Sequence, residues 1–119
     1  MNYTSIEQSK KLLELGLSPE TADMFYIEGS SAIGINVPFV KESEMNRIPC
    51  WSVGALIKVI CETCDRCEIN LKINKEWNIF IHAYESYSFY NGTGFYTVLN
   101  ACTEAVVWLL GNGYIKKRK

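Results

Sequence analysis

Three of the chain's five cysteines fall together in Cys61-Glu62-Thr63-Cys64-Asp65-Arg66-Cys67. Thiolates at that spacing begin a tetrahedral metal site, but a structural zinc takes four ligands. No second CxxC and no HxxxH follows, so His82 or Cys50 would have to supply the fourth ligand from a distance. An iron–sulfur cluster meets the same shortage. In the plainer assignment Cys61 ends an apolar helical face and the others are small loop residues. No metal and no other cofactor is therefore expected, and a zinc-stabilised domain on Cys61, Cys64, Cys67 and His82 stands as the alternative. A redox dithiol at Cys61-x-x-Cys64 is disfavoured by electrostatics. Thiolates are stabilised at the positive N-terminal end of a helix, whereas this pair follows a helix.

His82 is the single histidine. It lies out of phase with Trp77, Ile79 and Ile81, so it shares a strand face with Phe80 and Tyr84. Catalysis would require a nucleophile or carboxylate placed beside it. No Ser or Cys sits in a GxSxG context, Asp occurs only at positions 23 and 65, and no paired-carboxylate set stands out. Asn91-Gly92-Thr93-Gly94 lacks the Gly-Lys-Ser/Thr ending of a phosphate loop; it is expected to be a turn leading into a capped helix. The expectation is a non-enzymatic protein with no catalytic residue.

Aromatic residues crowd the stretch that holds Phe80, Tyr84, Tyr87, Phe89, Tyr90, Phe95 and Tyr96. Bases stack on such residues in single-strand binders, but phosphate contacts dominate that affinity. From Glu76 through Ile115 there is no Lys or Arg. Aromatic, charge-poor surface suits a protein interface instead, and Phe80, Tyr84, Tyr87, Phe89 and Tyr90 are the candidates, with Phe95 assigned to the core. Lys and Arg on strand edges discourage strand-to-strand pairing; their absence implies that this hairpin is covered. The expected partner is a protein, a second copy of the chain included. Nucleic acid enters only through the basic tail Lys116-Lys117-Arg118-Lys119, which more simply complements a helix C-terminus.

The elements that position these residues follow from periodicity. Ser5 with Gln8 forms a capping box ahead of Ile6, Leu12, Leu13 and Leu17, and Gly16 stops that helix. Ser18-Pro19-Glu20 restarts a short helix ending near Met24-Phe25. Phe25-Tyr26-Ile27 and the apolar residues of 32–37 flank Gly29-Ser30-Ser31 as a loose hairpin, and Pro38 and Pro49 bracket a polar loop. Ser52 caps a helix whose buried face is Val53, Leu56, Ile57 and Ile60. Residues 68–74 alternate as a half-buried strand, Asn74-Lys75-Glu76 turns the chain, and Trp77, Ile79, Ile81 and Ala83 return. The last helix starts near Thr93-Gly94, carries Phe95, Val98, Leu99, Cys102, Ala105, Val106, Leu109 and Leu110 inward, and ends at Gly111-Asn112-Gly113. Tyr114 and Ile115 fold back on it. The result is one α+β domain over residues 1–119, an antiparallel sheet with helices packed on one face, and a short basic tail at 116–119.

Twelve basic residues against thirteen acidic leave a net charge of −1, which excludes a strongly cationic nucleic-acid binder. The longest apolar run, Ala105 to Leu110, is too short to cross a membrane. Met1-Asn2-Tyr3-Thr4-Ser5 has no secretory pattern. A cytoplasmic chain with its cysteines as thiols is expected.

Residues 7–24 (EQSKKLLELGLSPETADM), 49–56 (PCWSVGAL) and 105–117 (AVVWLLGNGYIKK) resemble a group of short uncharacterised proteins carried by phages and prophages of gut Bacteroides-type bacteria. The resemblance implies a phage-type protein and brings no catalytic residues with it. Cys61, Cys64 and Cys67 lie outside the three segments, so it implies no metal site either.

Overall fold

Ser5 opens the first helix. Its hydroxyl accepts from the Gln8 N–H at 3.1 Å while Gln8 Oε1 accepts from the Ser5 N–H at 2.9 Å, the reciprocal box the sequence predicts. The structure, a computed structural model, describes residues 2–27, 33–35, 47–83 and 89–115. Helix α1 spans Ile6–Glu14. Gly16 ends it at φ 102, a left-handed conformation that costs glycine little. The Gly16 N–H then donates to Leu13 O and the Leu17 N–H to Leu12 O. These are the two bonds of a Schellman stop, and Leu12 and Leu17 are buried together.

The expected second helix is a single 3₁₀ turn, Pro19–Thr21. The Thr21 hydroxyl closes the turn by donating to Ser18 O at 2.6 Å, and Ala22 is already extended at ψ 143. Asp23 is drawn away to accept from the Ser52 N–H and hydroxyl. Met24–Ile27 therefore forms strand β1 rather than a helix end. It pairs antiparallel with β2 (Ile33–Ile35), the anticipated hairpin, and with β3 (Arg47–Cys50), which was not anticipated. Pro49 in the sequence reads as a loop boundary. It is tolerated in β3 because the order is β2-β1-β3 and an edge strand can spare one N–H. Just beyond β3 the N-terminal segment joins in: the Thr4 N–H donates to Trp51 O and the Val53 N–H to Asn2 O.

Helix α2 (Val53–Thr63) is capped by Ser52 Oγ, which accepts from the Ala55 N–H at 3.1 Å. Its buried side is Ala55, Leu56, Val59 and Ile60; Val53 and Ile57 of the expected face are only half-buried. The second sheet follows, β4 (Cys64–Leu71), β5 (Trp77–Ala83) and β6 (Phe89–Phe95), antiparallel in the order β4-β5-β6. Strand β4 starts at Cys64, not Glu68, and stops at Leu71. The Lys72 N–H donates to Glu76 O and the Lys75 N–H to Lys72 O, which closes a turn with Ile73 at its tip. Leu71 and Ile73, expected to face inward, are exposed.

Helix α3 is Val98–Gly111, capped by Thr97 Oγ1 on the Asn100 N–H. Phe95 belongs to β6, not to the helix. Its spacing to Val98 and Leu99 is helical, so the sequence pattern runs on through a boundary that the backbone makes at Thr97. The Schellman pair recurs at the C-terminus, from Gly113 N to Leu110 O and from Tyr114 N to Leu109 O. Tyr114 folds back with its ring 5.4 Å from that of Trp108.

One core joins these parts. Leu56 and Ile60 of α2, Leu99, Cys102, Val106 and Leu109 of α3, and Ile79 and Ile81 of β5 are buried together, and Leu12 and Trp51 extend the cluster to α1 and the end of β3. The fold is α+β, with α2 and α3 on one face of the second sheet and a second small antiparallel sheet beside it. Among the described residues no helix is long and apolar enough to cross a membrane.

Candidate functional site

Alternation along the second sheet sorts its side chains into two faces. Ile79, Ile81 and Ala83 of β5 point to the helices and are fully buried. Phe80 and His82 point the other way. The register places Glu68, Phe80 and Asn91 in one row across the sheet, and Arg66, His82 and Phe89 in the next. The outer face is therefore built around Phe80 and Phe89, whose rings lie 5.7 Å apart at 36°. Phe89 is 60% exposed, and the Arg66 guanidinium lies 5.8 Å from the Phe80 ring centre.

Polar groups on this face pair with one another. Arg66 Nε donates to Glu68 Oε2 at 2.9 Å. Between Cys64 and Arg66 the ladder slips by one residue, because Cys64 opposes Ala83 while Arg66 opposes His82. Asp65 is the extra residue of this bulge, and its carboxylate lies 2.6 Å from His82 Nδ1. A carboxylate only accepts, so Nδ1 carries the proton of this bond. The pair fixes the imidazole as a base-orienting carboxylate would, but among the described residues no Ser, Thr or Cys side chain hydrogen-bonds to His82. The geometry holds the histidine ring in place.

The structure thus brings Phe80 and Phe89 together and separates them from Tyr90. Tyr90 opposes Ile81, faces the helices and stacks 5.5 Å from Trp108. It is half-buried on the core side of the sheet, because neighbours on a strand face opposite ways. Phe80 lies on the central strand and Phe89 on the edge strand β6. Tyr84 and Tyr87 lie outside the described residues, as does the basic tail.

The cysteines are spread over three environments. Cys61 is exposed on the last turn of α2 and does not end its apolar face. Cys64 caps that helix, buried, and its thiol donates to Ile60 O at 2.9 Å. Cys67 points inward from β4 toward the helices. Burial pushes the Cys64 thiol up and takes Cys67 to about 11, so desolvation rather than the helix end sets the direction. Cys102 of α3 is buried, and burial above all pushes its thiol to about 12, with Cys67 and Cys61 adding in the same direction. Cys50 belongs to a different site, where its thiol donates to Thr4 O at 3.3 Å. Among the described residues no three His, Cys, Asp or Glu side chains are placed to hold a metal ion.

A groove of about 420 Å³ opens elsewhere, between the 3₁₀ turn and α2, lined by Glu20, Asp23, Lys58 and Glu62 among others. Asp23 is engaged with Ser52 there. No family model, no curated protein and no solved structure matches the chain. The outer face of the second sheet is the candidate site on geometry alone. Phe80 and Phe89 are marked in the sequence by their aromatic, base-free surroundings. Asp65 is not, because a one-residue ladder slip leaves no mark in residue spacing.

Proposed function

We propose that this protein is a non-enzymatic binding module that engages another protein through the outer face of its second sheet. The observation that carries the proposal is the Phe80–Phe89 pair, an aromatic surface on the sheet face opposite the helices, with Phe89 largely exposed. Large aromatic side chains at the centre of a contact supply most of its free energy. The Arg66–Glu68 ion pair and the Asp65–His82 hydrogen bond flank the rings and leave no excess of positive charge, which suits a protein surface better than a polyanion. The setting proposed is that of a phage or prophage accessory protein; it rests on the three resembling segments, and the neighbouring genes test it.

The binding reading is tested with a photo-crosslinking residue at position 91, next to Phe89 on the face. Discrete adducts in the producing cell are expected for the wild type and not for Phe89→Ser. Adducts that are absent, or unchanged by Phe89→Ser, count against the face.

A further inference from the structure

Among the described residues, the edges of the two sheets are not equally protected. Strand β3 carries Arg47 and Pro49. Strand β2 is three residues long. Strand β4 presents Arg66 and Glu68 and is bulged at Asp65. Strand β6, seven residues long, has no charge and no proline in Phe89-Tyr90-Asn91-Gly92-Thr93-Gly94-Phe95. It does carry one extra residue at Thr93-Gly94, where the ladder shifts between Trp77–Phe95 and Ile79–Gly92. Charges, prolines, bulges and short length are how sheets discourage pairing at an edge, and among the described strands β6 is the one long edge with neither charge nor proline. Among the described residues no strand lies beyond it.

We propose that β6 is an assembly edge whose occupant is a second copy of this chain, β6 against β6 about a two-fold axis. Resting on the reading of this sheet as a protein-binding surface, the proposal names the partner. An edge row of N–H and C=O groups is satisfied by an extended backbone, and antiparallel pairing makes one strand complementary to itself. Because β6 is uncharged, two copies meet without like-charge repulsion. The outer side chains Phe89, Asn91 and Thr93 of each copy then lie beside those of the other, and the two Phe80–Phe89 pairs join one six-stranded face. Pairing between two short strands buries little area, so the dimer belongs with weak, concentration-dependent contacts.

The test is light scattering behind size exclusion on the full chain, up to about 100 μM, where even weak dimers are populated. The wild type should approach the dimer mass. Asn91→Lys with Thr93→Lys, both exposed positions, should weaken association by roughly tenfold or more with circular dichroism and melting of the dilute protein unchanged. Asn70→Lys, on the opposite edge, should leave the dimer intact. A monomeric wild type overturns the proposal, and so does a dimer indifferent to the two β6 lysines. A dimer lost in Phe89→Ser but kept in the β6 lysine variant means face-to-face packing, which overturns the edge while the binding reading stands.

Discussion

Single side chains set the pH response of this protein. The Cys67 and Cys102 thiols are raised from 9.0 to about 11 and about 12, chiefly by burial, so the folded chain holds protons that the unfolded chain releases first. Stability is therefore unaffected by these groups below about pH 9 and falls as pH rises toward 11–12. Tyr26, buried and donating to Thr4 O at 2.8 Å, is raised to about 12 with the same sign. Urea midpoints measured from pH 7 to 10.5 should decline above about pH 9, and Cys102→Ala should flatten that decline whatever it costs in packing. In the folded protein Cys61, the one exposed cysteine, should react with a thiol reagent well before the other four. Thr4 is the other decisive residue. Fully buried, its Oγ1 accepts from the Trp51 N–H at 3.0 Å and lies 2.8 Å from Ser9 Oγ. Thr4→Val leaves those groups unpaired and should cost about 1–3 kcal/mol in denaturant unfolding, and Thr4→Ser should recover most of it.

Elements depend on the room their side chains leave one another. On the inner face of β6, Tyr90 and Phe95 converge over Gly92. A Cβ there would lie 2.6 Å from Tyr90 Oη and 2.8 Å from Phe95 Cε2, so both rings would have to shift. Gly92→Ala is expected to lower stability by about 1–3 kcal/mol and to change the near-ultraviolet dichroism of the Tyr90–Trp108–Tyr114 stack. The starts of α1 and α2 and the glycine stops of α1 and α3 were legible in the sequence, because a cap is a contact between residues within about one turn of each other; the start of α3 was not, since Phe95 continues its apolar spacing back into β6. Strand β3 was not legible. Its residues Arg47-Ile48-Pro49-Cys50 have no alternation of their own and become a strand only when β1 offers its second edge.

At the scale of the whole molecule, burial is decided by layers. Ile73 and Ile79 are the same residue type on one hairpin, yet Ile79 is fully buried under α2 and α3 while Ile73 projects from the turn. Ile79→Ala should cost about 2–5 kcal/mol and Ile73→Ala well under 1 kcal/mol, a contrast that thermal or urea unfolding reads directly. Leu109, on the inner side of α3, should behave like Ile79. Equal costs at positions 73 and 79 would mean that the hairpin tip is docked on another surface.

Local physics made much of this protein readable in one dimension. The capping box at Ser5, the helical face of α2, the alternation of β5 and the apolar stripe of α3 are all settled by neighbours within a few residues, where steric and hydrogen-bonding preferences act. The α+β class follows from their sum. Tertiary structure alone decided which of the aromatic residues face solvent. Phe89 and Tyr90 are adjacent and equally apolar in context, and only the pairing of β6 with β5 sends one outward beside Phe80 and the other inward onto Trp108. It also placed Asp65 against His82 through a ladder slip and brought Cys102 within electrostatic reach of Cys67. Each of these depends on register between strands or on the packing of a helix across a sheet. Such contacts join residues far apart in the chain, and no short-range preference encodes them.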